Sequence, residues 1–191
     1  MNTIWKLFYF ISKFLKIAES KYYKSVIKNH PNVEIKGDFN FKFDNFFELQ
    51  NNIKKLYIGK NVRWNSNNMI RIYNGAELIL EDNSYFSDFV SINCLHKIVI
   101  GENSWIGEGS KLYDHNHSYV TEPEYEWKVR EFDKAPIIIG KNVKIYSNVT
   151  ILKGVTIGDN VIIGAGCVVH KDVPSNSIIV NKQEHKIISN E

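Results

Sequence analysis

The sequence predicts an all-β solenoid, a parallel β-helix of about five coils with an N-terminal amphipathic helix and one long inserted loop. Three observations predict it. From Ile139 to Val173 the chain reads in sixes as IGKNVK, IYSNVT, ILKGVT, IGDNVI, IGAGCV and VHKDVP. The first place of each hexad holds Ile139, Ile145, Ile151, Ile157, Ile163 or Val169, and the fifth holds Val143, Val149, Val155, Val161, Cys167 or Val173. This spacing fits neither the 3.6-residue period of a helix nor the alternation of a simple strand. Gly140, Asn142, Asn148, Gly154, Gly158, Asn160, Gly164 and Gly166 recur where each coil must turn, and Gly and Asn reach positive φ at low cost. Similar pairs return upstream at Ile58-Gly59 and Ile100-Gly101. Three hexads then close one triangular coil, and coils stack through parallel-strand hydrogen bonds about 4.8 Å apart.

The 191 residues, 43% of them apolar, suit one domain with a sizeable core. A net charge of +3 is too small and scattered for a nucleic-acid surface. Cys94 and Cys167 are far apart, and Cys167 fills a small repeat position. Both read as reduced structural thiols, which suits a cytoplasmic protein.

Residues 1–30 read as an amphipathic helix. Trp5, Leu7, Phe8, Phe10, Ile11, Phe14, Leu15 and Ile17 are interrupted only by Lys6, Lys13 and Lys16 among the charged residues. At 100° per residue these lysines share a sector of about a quarter turn, leaving a wide apolar face. The run is too short and too charged to span a bilayer, and it lacks the small-residue site of a signal peptide. Two readings are open for residues 1–28: a helix lying on the inner membrane surface, or one packed on the β-helix or a neighbouring subunit. His30 and Pro31 end it. Residues 31–55, rich in Phe, read as an irregular cap, with a strand suggested by Phe39, Phe41 and Phe43.

Residues 56–177 carry the coils. Their first-hexad residues Ile58, Leu80, Ile100, Ile139 and Ile157 are spaced by 22, 20, 39 and 18. The excess in the third gap places an insertion at residues 114–135, and a loop of that length in a compact repeat is usually functional. Residues 178–191 form a C-terminal tail.

The run IGKNVKIYSNVTILKGVTIGDNVIIGAGCVVHKDVPSNS resembles the hexapeptide-repeat acyltransferases, in the branch that contains galactoside and maltose acetyltransferases and bacterial polysaccharide O-acetyltransferases. The resemblance is clear over residues 98–177 and weaker back to Leu56. It implies a left-handed coil, against the usual right-handed crossover. It also implies a homotrimer with active sites between subunits, acetyl-coenzyme A as acyl donor and no metal. The family's excursion over the active site corresponds to residues 114–135.

An alcohol becomes a nucleophile only when its proton has somewhere to go, and a neutral imidazole accepts it near pH 7. The resemblance places the family's catalytic His at His115 in the run Asp114-His115-Asn116-His117. It implies direct transfer without an acyl-enzyme. Asp114 either orients the imidazole or ends a strand. Asn93 matches the family's Asn beside the base, where its amide would help hold the reacting groups, and a corner Asn is the alternative. His117 binds acceptor or holds the loop. Tyr125 and Trp127, with Tyr119, suggest a sugar platform, packing on a second subunit being the alternative.

For the donor, the resemblance implies that backbone amides at Gly164-Ala165-Gly166 hold the pantetheine arm, that Lys171 lies near the phosphates and that Tyr146 lines the channel. A tight corner is the plain reading of the glycines. The family's Gly-x-Pro-Ala-Lys-like ending is absent from Val180 to Lys186.

The function this implies is O-acetylation of a sugar hydroxyl in a bacterial surface polysaccharide or its precursor. N-acetylation of an amino sugar is the nearest alternative. A metal-dependent hydratase of the carbonic anhydrase type would need three converging histidines, and a non-catalytic solenoid is the remaining class.

Overall fold

The computed structural model describes residues 3–120 and 126–182. Helix α1 (Thr3–Asn29) is followed by short strands that wind into a three-sided prism. The first coil holds β1 (Val33–Ile35), β2 (Asn40–Phe41) and β3 (Phe46–Leu49); the second, β4 (Lys55–Ile58), β5 (Arg63–Trp64) and β6 (Met69–Ile72). The third holds β7 (Glu77–Leu80), β8 (Tyr85–Phe86) and β9 (Ser91–Cys94); the fourth, β10 (Lys97–Ile100), β11 (Trp105–Ile106) and β12 (Lys111–Tyr113). An excursion, β13 (His115–Val120) and β14 (Glu126–Lys134), leaves the prism here. The fifth coil holds β15 (Ile137–Ile139), β16 (Lys144–Ile145) and β17 (Thr150–Leu152); the sixth, β18 (Thr156–Ile157), β19 (Ile162–Ile163) and β20 (Val168–Val169). Strand β21 (Ile178–Ile179) adds to the second face.

Each face is a parallel sheet in which every strand pairs with its counterpart one coil away. The register carries the hexad pattern into the core. Ile58, Leu80, Ile100, Ile139 and Ile157 form one inward column, all buried. Ile100 pairs directly with Ile139, so the long insertion leaves the column unbroken.

Six coils are present, one more than the sequence suggested. The segment expected as an irregular cap supplies the first coil, because Phe39 and Phe47 fill its core where later coils use Ile, Leu or Val. Aromatic substitution hides the repeat. Beneath it, Tyr23 and Ile27 of α1 pack on the core, and Lys16 pairs with Asp44 at 2.7 Å. The insertion is no open loop either. His115 pairs with Lys134 and His117 with Phe132 in an antiparallel hairpin whose register shifts between His117 and Ser118.

The corner residues divide into two kinds. Asn142, Asn148, Gly154, Asn160 and Gly166 take positive φ as expected, but Gly140, Gly158 and Gly164 are not in that set. Those three glycines are needed for space: a Cβ on Gly140 would fall 2.8 Å from the Gly158 carbonyl carbon, and one on Gly164 would fall 3.1 Å from the Ile179 oxygen. Gly101 is tighter still, with the Gly140 oxygen 2.4 Å from its would-be Cβ.

Replacing Gly101 with Ala is expected to destabilise the fold by about 1–3 kcal/mol through overpacking of rigid backbone. Phe89 sits at φ 60, and Phe89→Asn is expected to stabilise by about 1 kcal/mol by relieving left-handed strain. Urea denaturation of both variants checks the pair. Unchanged midpoints would contradict the stacking argument.

Candidate active site

The fourth coil ends at Tyr113, and the chain leaves the prism through Asp114. This carboxylate is fully buried. Its Oδ1 accepts from Leu95 N at 2.9 Å, and its Oδ2 accepts from His96 N at 2.7 Å. Asp114 therefore ties the insertion to the corner of the coil below. Burial alone would push its pKa up. The hydrogen bond from His115 and those from Leu95 and His96 outweigh that effect and hold it below the ordinary aspartate value.

His115 Nδ1 lies 3.1 Å from Asp114 Oδ1. An ionised carboxylate only accepts, so this contact selects the tautomer with hydrogen on Nδ1. Nε2 then carries the free lone pair. The Phe132 ring stands perpendicular to the imidazole, with centroids 5.4 Å apart and planes at 86°. His117 packs on the same phenyl at 4.7 Å.

Asn93, Tyr113, His115, Asn116, His117 and Tyr119 line an open hollow of about 520 Å³. Asn93 lies in strand β9 opposite Tyr113, so the corner reading does not apply to it. Its Nδ2 donates to Ser91 Oγ at 3.3 Å. Asp114, His115, Asn93 and His117 thus come together. Trp127 is opposite Tyr119 in the hairpin backbone, and Tyr125 lies outside the described residues.

The residues expected at the donor are elsewhere. Tyr146 is exposed beside a hollow of about 220 Å³ shared with Ser87, Trp105 and Lys144, at the corner between the second and third faces. Gly164-Ala165-Gly166 stack on that corner one coil further on. Gly164 N donates to Ile179 O at 2.8 Å and Gly166 N to Ser147 O at 3.0 Å, so the stacked coils already use two of the three amides of the turn. Lys171 is exposed at the other end of the third face. Lys153, below it, pairs with Asp133 of the hairpin at 2.7 Å and braces the insertion.

Cys94 is buried and donates to Glu77 O at 3.3 Å. Burial, and then the Asp114 charge, push its thiol well above the ordinary range, which makes it inert as a nucleophile. Among the described residues no three His, Cys, Asp or Glu side chains are grouped to hold a metal. Sequence reasoning missed Phe132, Tyr113 and Asn116. Tyr113 and Asn116 flank the noted His115, whereas Phe132 reaches it only through the hairpin register.

A model of the bacterial transferase hexapeptide (six repeats) matches residues 136–171. Residues 136–171 therefore carry the transferase hexapeptide repeat. Hexapeptide repeats of this kind coil left-handed, which gives the hand of the prism. The hexapeptide-repeat chain shares its fold with the N-acyltransferase AntD from Bacillus cereus, solved with dTDP and 3-hydroxybutyryl-CoA, at 16% identity and a TM-score of 0.66 over 88% of both chains. It is also similar to a hexapeptide-repeat acetyltransferase from Vibrio cholerae complexed with acetyl-coenzyme A (22% identity, TM-score 0.45, covering 81% of this chain and 69% of that one). A maltose O-acetyltransferase from Clostridium difficile is similar over 81% of this chain and 67% of its own, at 20% identity and a TM-score of 0.40. No curated protein matches the chain by sequence.

The depressed Asp114 pKa fixes the sign of a pH effect. A carboxyl with a lowered folded-state pKa adds stability that is present above its unfolded value and is lost as pH falls through the folded one. Acid titration of stability should therefore show a loss below the ordinary aspartate range that is smaller in Asp114→Asn. At neutral pH that variant should be less stable by about 1–3 kcal/mol, from hydrogen bonds to a charged group. Parallel wild-type and variant curves would remove the assigned role.

Proposed function

We propose that this hexapeptide-repeat protein is an acetyl-coenzyme A-dependent O-acetyltransferase whose acceptor is a sugar hydroxyl of a bacterial surface polysaccharide or its precursor. The observation that carries the reading is the Asp114–His115 pair, with Nδ1 fixed on a buried carboxylate and Nε2 left as the base beside an open hollow. The transferase repeat and the shared fold of a coenzyme A-utilising neighbour support the reaction class.

The donor supplies an activated acyl thioester. His115 Nε2 takes the acceptor proton as the hydroxyl oxygen attacks the thioester carbonyl. Asn93 would supply a side-chain donor for the charge developing on the carbonyl oxygen. As the C–S bond breaks, His115 returns the proton to the departing thiolate. Ester and free thiol balance the reaction, and no covalent enzyme intermediate is needed. Asp114 holds the ring and favours its transient imidazolium. His117, Tyr125 and Trp127 would contact the acceptor.

Acyl donor binding is proposed at the corner of Tyr146 and Gly164-Ala165-Gly166, with Lys171 as a phosphate partner. Gly166 offers room, since among the described residues a Cβ there would meet only Asn181 Nδ2, at 3.5 Å. Within one chain the third face, about 10–13 Å wide for three or four extended residues, separates that corner from His115. A homotrimer that sets the base of one copy against the donor corner of the next would complete the site. A cytoplasmic location follows from the donor. One observation favours a second reading: AntD is an N-acyltransferase solved with dTDP, and the same base would serve an amino sugar on a nucleotide.

Thiol release from acetyl-coenzyme A, measured across free sugars, nucleotide sugars, amino-sugar nucleotides and isolated glycan, separates the readings. Acceptor-dependent release should fall by about 10²–10⁴ in His115→Ala with the fold intact. Near-normal turnover in that variant would remove the base. Activity confined to amine acceptors would replace the O-acetyl reading with the N-acyl one.

A further inference from the structure

Helix α1 is divided in its partners. Its C-terminal half is seated on the first coil by Tyr23, Ile27, the Lys16–Asp44 ion pair and Lys24, whose Nζ stands 5.8 Å from the Phe39 ring centroid. Its N-terminal half carries Trp5, Leu7, Phe8, Phe10, Phe14 and Leu15, each between 60% and 70% exposed. Burial of such side chains is the usual outcome in folded proteins. A contiguous exposed set of this size marks an interaction surface.

Geometry and charge select the occupant. At 100° per residue the apolar side chains from Ile4 to Leu15 sweep roughly 220°, far wider than the seam one partner helix covers. The remaining arc holds Lys6, Lys13 and Lys16 with Tyr9 among them, and no acidic residue precedes Glu19. Aromatics at a polar boundary with flanking lysines match a surface that is apolar below and anionic above. Among the described residues no helix is long and apolar enough to cross a membrane.

We infer that the N-terminal half of α1 lies in the interface of an anionic lipid bilayer, with its aromatic arc among the acyl chains and its lysines at the headgroups. The Tyr23–Ile27 end, fixed to the first coil, then couples the prism to the surface. This inference is independent of the catalytic reading.

Flotation of the full chain with phosphatidylcholine vesicles, with and without phosphatidylglycerol, tests it. The wild type should float with the anionic vesicles. The double variant Phe8→Glu, Phe14→Glu should lose at least tenfold in bound fraction while its helical circular dichroism persists. Replacing Lys6 and Lys13 with Gln, which leaves the Lys16–Asp44 anchor intact, should erase a preference for anionic vesicles of roughly thirtyfold, at about 1 kcal/mol per lysine. Wild type that stays unbound to both vesicle types overturns the proposal. So does a wild type that fails to float and sediments as a larger assembly than the Phe8, Phe14 variant, since the arc would then serve a second copy. Thiol release on a soluble acceptor should be unchanged in that variant, so this test and the catalytic one fail separately.

Discussion

Stacking of one coil on the next is the constraint that the rest of the molecule obeys. Strands in register about 4.8 Å apart require each turn to repeat the backbone of the turn below. Asn61, Asn83, Asn103, Asn142, Asn160 and Asn176 form one corner column, all at φ between 56° and 60°, with neighbouring amides bonded at 3.0–3.3 Å. A second column runs through Asp44, Asn67, Phe89, Gly109, Asn148 and Gly166, again all at positive φ. Phe89 is the telling member. A phenylalanine pays strain in that conformation, yet the column imposes it. Gly166 belongs to the same column, which is why its amide is bonded to Ser147 O: Phe89, Gly109 and Asn148 bond in the same way to the coil below them.

A solenoid so constrained can accept extra residues only by extruding them at a corner. Between Tyr113 and Ile137 the chain does so, and Ile98 to Ile100 still pair with Ile137 to Ile139 as if nothing intervened. The extruded hairpin is anchored at its base. Ala135 N returns to Asp114 O at 3.0 Å, Lys153 holds Asp133, and the Asp114 carboxylate binds the amides of the coil below. The side chain that secures the insertion is also the one that orients His115. Structural and chemical demands coincide at Asp114, so its burial needs no separate functional explanation.

Legibility followed the strictness of the repeat. The columns through Ile58, Leu80, Ile100, Ile139 and Ile157 could be read because one column demands one kind of side chain. The first coil could not, because Phe39 and Phe47 fill its interior with fewer, larger groups and erase the period. His115 was visible from the resemblance, and Asp114 as its neighbour. Its hold on Leu95 and His96 was not visible, since a contact between coils leaves no local pattern. Phe132 was hidden for a related reason: the register shift between His117 and Ser118 decides which residue of the returning strand meets the imidazoles, and periodicity does not encode a bulge.

The same rigidity limits what one chain does alone. The Asp114–His115 pair is finished within the chain, since carboxylate, imidazole and phenyl ring are held by contacts that stacking fixes. The corner of Tyr146 and Gly164 to Gly166 is held as firmly, but across the third face. A packed prism cannot fold one of its edges onto another, because every movement of a corner would break a column of hydrogen bonds and asparagine amides on each neighbouring coil. If both corners serve one reaction, the approach must come from a second copy rather than from closure within the first. Loop-bearing enzymes commonly assemble a site by moving a lid. A solenoid without a hinge in its coils would assemble it by association.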